Sequence, residues 1–238
     1  MQEGMSARSV NRRLSCLHSY FRFLRKRGLI QKDPTQKVLA PKTGKRLPVF
    51  IQEQHMADLF GVIEFPNTYK GLLDRLVLET LYATGIRRSE LINLKLADVD
   101  LDRMVCRIAG KGGKERIAPF ARYFAGLLDA YLSQRRELDP DNRQPWLFLS
   151  PKGKKLGPEA VYRTVHKYLS LVSAADQRSP HVLRHSFATH LSNRGADLNA
   201  IKELLGHASL AATQVYTHNT IDRLIKVYEQ AHPKGKEE

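Results

Sequence analysis

The first part of the chain carries apolar residues at helical spacing. From Ser6 to Arg27 they recur every three or four positions and fall on one face of a helix: Val10, Leu14, Leu17, Phe21 and Leu24. Arginine and lysine occupy most of the other faces, and Gly28 follows where a helix commonly ends on glycine. One helix cannot cover its own apolar stripe, so we expect it to pack on other helices, on a partner or on the main domain.

Residues 31–50 follow a different pattern, in which prolines alternate with basic residues. Pro34, Pro41 and Pro48 interrupt any helix and favour an extended chain. The pattern predicts a basic linker over 31–49 and a domain boundary near Pro48.

From Phe50 onward the apolar spacing is mostly helical. It predicts helices at 52–60, 67–84, near Ser89, 121–138, 158–172, 180–193, 197–205 and 209–217. Ser89 is the expected N-cap residue of its short helix. A last amphipathic segment, Ile221–Gln230, has Ile221, Leu224, Ile225 and Tyr228 on one face.

In two short segments, apolar and polar residues instead alternate as they do in β-strands. Residues 104–108 and 115–119 flank the glycine-rich turn Gly110–Lys114, which predicts a β-hairpin, and residues 147–150 are a candidate third strand. The predicted fold class is therefore α+β, mainly α with a small antiparallel β-sheet.

The distribution of charge along the chain indicates more about a binding partner than the overall composition does. Residues 1–50 hold 12 Lys and Arg against 2 acidic residues, whereas the whole chain has 39 against 24 and a net charge of +15. This excess of positive charge favours binding to an acidic polymer such as a nucleic acid, because each basic side chain that contacts a phosphate releases counterions from the polymer. The alternative is a basic surface that serves only solubility.

Other features of the sequence restrict the class of protein. No apolar stretch is long enough to span a membrane, and the first residues lack the apolar core of a secretory signal. Two cysteines, Cys16 and Cys106, lie far apart and predict no disulfide framework. We expect a reduced, cytoplasmic protein without a membrane partner.

The polar candidates are ambiguous when each is taken alone. Arg87 follows a glycine turn and Lys111 lies at a hairpin tip, positions at which solvated surface residues are common. His181 and His185 are four residues apart, but no Glu follows His181 as in zinc enzymes, and Arg184 between them would repel a cation. A late tyrosine such as Tyr216 is usually a packing residue.

The combination is more informative than its members. Two arginines, a lysine, two histidines and a tyrosine on a basic chain indicate a phosphate-handling site without a metal ion. The planar guanidinium of arginine matches phosphate oxygens and can neutralise the charge that develops on phosphorus. A tyrosine hydroxyl, whose pKa is about 10, needs a nearby group to help with its proton before it attacks. No Walker-type phosphate loop is present, so the sequence gives no support for ATP binding.

Four motifs in order resemble those of the tyrosine recombinases of the phage-integrase superfamily, and most closely the bacterial Xer type. The motifs are Ala83–Leu91, Gly110–Arg116, His181–His185 and Leu204–His207, with Tyr216 nine residues further on. Each motif is degenerate alone, but their order and spacing are specific. The resemblance extends from about residue 6 to the C-terminus.

The resemblance implies a role for each matching residue. Arg87 and Arg184 would bind the scissile phosphate, Lys111 would protonate the leaving 5′ oxygen, and His181 would act as acid and base on the nucleophile. His207 would donate a hydrogen bond to the phosphate, and Tyr216 would attack to form a 3′-phosphotyrosyl bond. Glu90 would support the site by orienting an arginine or histidine. Neither a metal nor a nucleotide cofactor is implied.

The resemblance also implies a domain plan and partners. Residues 1–30 would be the remnant of a helical core-binding domain, 31–49 the linker, 50–218 the catalytic domain, and 219–238 a tail that docks on a neighbouring protomer or on its own chain. Because only the last long helix of the core-binding domain is visible, we expect weakened DNA affinity and synapsis around an intact pocket. The implied partner is a double-stranded recombination site, bound by a homotetramer or a paired recombinase at the bacterial nucleoid. Candidate DNA contacts are Arg12, Arg13, Lys42, Lys45 and Arg46.

Two other functions remain open from the sequence alone. The same pocket would serve a nicking-closing enzyme that resembles type IB topoisomerases, and a non-catalytic DNA-binding protein could keep these residues for structural reasons. The DNA target is not encoded in any feature that one sequence reveals. Chromosome-dimer resolution, mobile-element integration and inversion are likewise not distinguished.

Overall fold

The computed structural model describes residues 5–42, 49–110, 115–174, 177–206 and 218–235. The chain divides into two compact units, Met1–Leu47 and Pro48–Glu238. Among the described residues, the first unit consists of one helix and an irregular segment, and the second of eight helices and a small sheet. The predicted class, mainly α with a small antiparallel sheet, is confirmed.

The first unit contains the predicted basic helix, α1 (Ala7–Lys26). Ser6 begins it, because its hydroxyl accepts a hydrogen bond from the backbone N–H of Ser9 at 3.2 Å. Gly28 adopts a φ of +70° just beyond its end, as a helix-terminating glycine does. Helix α1 has no fully buried residue within this unit.

The proline-rich segment that follows contacts α1. The Asn11 side-chain amide donates to the carbonyl of Pro41 at 2.9 Å. The Thr35 hydroxyl is buried and lies 2.8 Å from the Nδ1 atom of His18, while Asp33 accepts hydrogen bonds from the backbone and side chain of Thr35. These bonds hold residues 33–41 along the helix.

The second unit contains helices close to the predicted ranges. They are α2 (Glu53–Gly61), α3 (Tyr69–Thr84), α4 (Arg88–Leu91), α5 (Arg122–Leu138), α6 (Pro158–Val172), α7 (Pro180–Asn193), α8 (Leu198–Leu205) and α9 (His218–Ala231). The helix predicted over 209–217 lies outside the described residues. None of the helices in the described part of the chain is both long and apolar enough to cross a membrane.

A three-stranded antiparallel sheet lies between α4 and α5. Its strands are β1 (Val99–Asp100), β2 (Val105–Ala109) and β3 (Glu115–Pro119), in that order across the sheet. Strands β2 and β3 form the predicted hairpin, with Ala109 opposite Glu115. Residues 111–114, which connect the two strands in the sequence and include Lys111, lie outside the described part of the chain.

The third strand predicted at 147–150 is wrong. The third strand of the sheet is β1, and residues 146–149 form only isolated bridges to Lys95 and Lys155. At Leu149, tyrosine hydroxyls take the positions that a neighbouring strand would occupy: the N–H of Leu149 donates to Tyr131 at 3.0 Å, and its carbonyl accepts from Tyr69 at 2.9 Å. Alternation of apolar residues cannot reveal such side-chain partners.

Two apolar clusters meet at α7. The larger surrounds α3, which is buried along most of its length, and includes side chains of α2, α5 and α6. The smaller joins α7, α8 and α9. Val182 and Leu183 belong to the first cluster and Phe187 and Leu191 to the second, so both cores fix the position of α7.

The C-terminal helix packs on its own unit. Leu224 and Tyr228, from the stripe that the sequence assigns to docking, are buried in the smaller cluster. After the helix, His232 is buried and its ring stacks on Tyr228 at a centroid distance of 4.7 Å. Lys234 then donates to the buried Glu79 at 3.1 Å. This tail is therefore covered in cis in the structure.

The buried His232 predicts a loss of stability in mild acid. Burial, with only partial compensation from a bond to the Tyr82 carbonyl, lowers the pKa of His232 to about 3. The unfolded chain takes up a proton below its ordinary pKa of about 6.5, while the folded chain does so only near 3, so the free energy of unfolding falls as pH drops through this window. One such residue contributes about 1.4 kcal/mol per pH unit.

Urea unfolding of the wild type and His232→Gln at pH 7 and pH 5 measures this contribution. The wild type is expected to lose about 2 kcal/mol more than the variant between the two pH values. Other titrating groups are common to both proteins and cancel in the comparison. Equal losses in the two proteins would contradict the prediction.

Candidate active site

The turn between α3 and α4 places Arg87. Helix α3 ends because Gly85 adopts a φ of +57°, in the left-handed region that favours glycine. A Cβ atom on Gly85 would lie 2.6 Å from the ring of Phe187, so no larger residue fits against α7. The chain turns sharply here and returns as α4, with Arg87 immediately before its first residue.

Glu90 holds the backbone and the side chain of Arg87 together. Its carboxylate accepts from the Arg87 backbone N–H at 2.9 Å and from the Arg87 Nη1 atom at 2.7 Å. The predicted N-cap at Ser89 is therefore wrong: Arg87 occupies that position, because Glu90 folds back on it and satisfies its N–H. The Arg87 side chain remains 37% exposed and can meet a ligand.

Arg184 lies on α7, behind this turn. Its Nη1 atom donates to the carbonyl of Gly85 at 2.5 Å, and its Nη2 atom donates to the carbonyl of Leu205 at 2.6 Å. The guanidinium is thus fixed between the end of α3 and the end of α8. Burial and the nearby charges of Arg87 and Arg116 lower the pKa of Arg184 to about 10, so the group stays charged at neutral pH.

Helix α7 is itself held from the opposite side. The backbone N–H of Ile51 donates to the Ser186 hydroxyl at 2.8 Å, and the Ile51 carbonyl lies 2.8 Å from the Nε2 atom of His190. At the end of the helix, Arg194 pairs with Glu53 at 2.7 Å. The two bonds to Ile51 restrict the rotation of α7 and hence the direction of Arg184, whereas the exposed Arg194–Glu53 pair contributes little.

A third arginine, Arg116, completes the cluster and was not singled out from the sequence. It lies on β3, is only 3% exposed, and donates to the Glu90 carboxylate at 2.9 Å. Burial alone would raise the pKa of Glu90, but the charges and hydrogen bonds of Arg116 and Arg87 outweigh it and hold that pKa below its ordinary value. The only signal in the sequence was that Arg116 ends the Gly110–Arg116 motif.

His181 lies at the start of α7, one turn before Arg184 and on the same face. Its side chain is exposed, as a group that exchanges protons with a substrate must be. Among the described residues, no group of three or more His, Cys, Asp or Glu side chains is arranged to hold a metal ion.

Three of the predicted catalytic residues, Lys111, His207 and Tyr216, lie outside the described residues. The structure nevertheless describes the residues that flank them. Strand β2 ends at Ala109, two residues before Lys111 in the sequence, and Gly206 ends α8 with a φ of +63°, one residue before His207. Helix α9 begins at His218, shortly after Tyr216.

The predicted DNA contacts belong to the first unit. Arg12 and Arg13 are exposed on α1, and Lys42 is exposed near the end of the segment that follows. Lys45 and Arg46 lie outside the described residues. The three described side chains are available to an acidic ligand.

Known proteins match the chain over most of its length. Residues 50–223 match the phage integrase family. The tyrosine recombinase XerC of Pelotomaculum thermopropionicum is 40% identical over 242 residues, which is 99% of this chain and 78% of that protein. XerC of Bacillus licheniformis is 39% identical, with 98% of this chain and 77% of that protein covered.

Among solved structures, the XerH recombinase bound to its difH substrate before cleavage superposes with a TM-score of 0.69. The two are 28% identical, and the match covers 94% of this chain and 65% of that one. With these relatives and the arginine cluster taken together, the chain belongs to the phage integrase family and is a DNA-breaking and rejoining enzyme of the tyrosine recombinase class.

Proposed function

We propose that the chain cuts and rejoins DNA strands at a specific site through a 3′-phosphotyrosyl intermediate on Tyr216. The observation that carries the proposal is the arginine cluster: Arg87 and Arg116 both donate to the carboxylate of Glu90, and the charge of Arg184 is close enough to interact with those of all three. These side chains carry three positive charges and one negative charge, so the cluster favours binding of an anion.

The excess positive charge of the arginine cluster complements the negative charge of a reacting phosphodiester. A phosphodiester brings one negative charge to the site, and a second develops on its oxygens as phosphorus becomes pentacoordinate. Arg87 and Arg184 supply fixed donors for those oxygens, and their orientation is set before substrate binds, so little reorganisation is needed in the transition state. Arg184 keeps further N–H donors beyond the two that bind carbonyls, and Arg87 is accessible.

Proton transfers accompany the displacement. The phenolic oxygen of Tyr216 forms a bond to phosphorus, the bond from phosphorus to the 5′ oxygen breaks, and the phenolic proton passes to His181. Lys111 delivers a proton to the departing 5′ oxygen, and His207 donates a hydrogen bond to the phosphate. A 5′-hydroxyl then attacks the phosphotyrosyl ester in the reverse sense and releases Tyr216. One ester replaces another in each step, so the cycle needs no ATP.

The partner in this proposal is a duplex recombination site. The solved XerH relative was captured on its difH substrate. Exposed basic residues of the first unit, with Lys45 and Arg46, would contact the backbone and confer salt-dependent affinity. Strand exchange needs two sites cut in concert, so we propose a tetramer or paired recombinases on DNA, at the nucleoid of a bacterial cytoplasm.

A nicked suicide substrate tests the proposal. Its cleaved end diffuses away, so a recombinase stays covalently attached to the DNA and migrates as an adduct under denaturing conditions. We expect an adduct that protease removes, and recombinant product from intact sites. Plasmid relaxation without recombinants would favour a nicking-closing enzyme, and absence of an adduct on a correct site would favour a DNA-binding protein without catalysis.

Cleavage is expected to persist in EDTA. The arginines supply the positive charge at the phosphate, so chelation of divalent ions removes no group from the proposed site. Adduct yield at saturating protein, measured with and without EDTA at constant ionic strength, checks this. A loss of cleavage that Mg²⁺ restores would contradict it.

A further inference from the structure

The burial and hydrogen bonds of Arg116 indicate a role beyond packing. It is 3% exposed on the edge strand β3, opposite Ile108 of β2. A buried guanidinium is costly unless its donors are satisfied. Its Nη2 atom donates to Glu90 at 2.9 Å, and its Nε atom donates to the carbonyl of Leu204 at 2.8 Å.

These two hydrogen bonds connect Arg116 to the segments that position Arg87 and Arg184. On one side, Glu90 is the residue that holds Arg87. On the other side, Leu204 is followed by Leu205, whose carbonyl fixes Arg184. The same end of α8 leads directly into His207.

Gly206 adapts the chain to this contact. A Cβ atom on Gly206 would lie 2.9 Å from the Cδ atom of Arg116, and Gly206 has a φ of +63°. Glycine thus permits the end of α8 to approach the Arg116 side chain closely with its backbone in the left-handed region. The hydrogen bond from Arg116 to Leu204 therefore joins β3 to α8, and Gly206 leaves room for it.

We propose that Arg116 is a positioning residue of the recombinase, which holds the Glu90 carboxylate against Arg87 and fixes the end of α8 that carries Arg184's carbonyl partner and leads into His207. The inference rests on the proposed function. Arg116 itself acts through these residues and does not contact the DNA.

Arg116 also determines the charge state of its partner. Glu90 bonds to Arg87 on its own segment and to Arg116 on β3, and the charge of Arg184 on α7 interacts with it at longer range. Burial raises the pKa of Glu90, and the charge of Arg116 opposes that effect, so removal of Arg116 would raise the pKa of Glu90. A protonated Glu90 would hold Arg87 less firmly, so cleavage would become sensitive to acid.

A second buried arginine provides a matched control. Arg135 is 1% exposed, donates to the carbonyls of Gln144 and Trp146, and pairs with Asp139 at 3.5 Å. It resembles Arg116 in burial and partners, but it contacts none of the site residues named above. Arg135→Lys thus imposes a comparable structural cost without touching the phosphate site.

The test measures single-turnover cleavage of the suicide substrate with protein in excess, for the wild type, Arg116→Lys, Arg116→Met and Arg135→Lys between pH 5 and pH 8. Under these conditions the rate constant does not depend on the amount of folded protein. We expect Arg116→Met to cleave about 10²-fold more slowly, because misplaced groups of this kind cost about that factor. Arg116→Lys retains one charge but reaches only one partner, so it should be intermediate.

Two further readouts distinguish positioning from structural damage. Gel-shift affinity for the site should change by no more than about threefold, since Arg116 makes no DNA contact. The Arg116→Met rate should fall towards pH 5 more steeply than the wild-type rate, while Arg135→Lys should keep the wild-type rate and profile.

The inference is overturned if Arg116→Lys cleaves at the wild-type rate with an unchanged pH profile, or if Arg135→Lys slows cleavage equally. Arg116→Lys decides the question even if Arg116→Met does not fold. Failure of the proposed function gives a different result, in which the wild type itself forms no adduct.

Discussion

Replacing Tyr216 with phenylalanine is expected to abolish the covalent protein–DNA adduct. The substitution removes one oxygen, the atom proposed to form the bond to phosphorus, and keeps the ring. No other group of the proposed site can form a stable ester in its place, so we expect at least about a 10³-fold loss of cleavage. Adduct formation on the nicked suicide substrate measures it directly.

The control for this experiment removes a tyrosine hydroxyl elsewhere. Tyr162 is 38% exposed on α6 of the same unit, and Tyr162→Phe should retain the adduct. Binding of the site by Tyr216→Phe should remain close to that of the wild type, because the arginine cluster is unchanged. An adduct of undiminished yield in Tyr216→Phe would assign the nucleophile to another residue and refute the proposed role.

Helices were predictable because their signals are local. The stripe of α1 and the proline at the start of α7 are visible in the sequence, and both helices lie where the spacing places them. The hairpin of β2 and β3 was likewise predictable from its glycine-rich turn. Residues 147–149 were misassigned because their backbone bonds are divided among separate partners: Leu147 donates to the Leu94 carbonyl, and both backbone groups of Leu149 bond to tyrosine hydroxyls.

The motifs named Arg87, Glu90 and Arg184, but they did not reveal the hydrogen bonds that fix these side chains. Arg116 could not be named, because its importance comes from bonds to Glu90 and Leu204, the second of which lies 88 residues away. The prediction of Ser89 as N-cap was wrong for a similar reason, since the contact of Glu90 with the Arg87 N–H makes Arg87 the N-cap residue.

Replacing Arg184 with lysine is expected to slow cleavage by about 10²–10³-fold, the usual cost of losing an oriented donor at a developing oxyanion. The two Nη atoms of Arg184 bind carbonyls on different segments, at Gly85 and Leu205. A single ammonium group cannot reach both carbonyls and also present a planar pair of donors to phosphate. Single-turnover cleavage of the suicide substrate at saturating protein measures the loss.

Arg194→Lys is the matched control, because it changes an arginine on the same helix segment. Arg194 is partly exposed at the end of α7 and pairs with Glu53, away from Gly85 and Leu205. Exposed ion pairs of this kind contribute little, so this variant should cleave at the wild-type rate. If Arg184→Lys also cleaved within about threefold of the wild type, oriented arginine donors would not be the source of phosphate activation. The charge surplus around Glu90 would then require a different explanation.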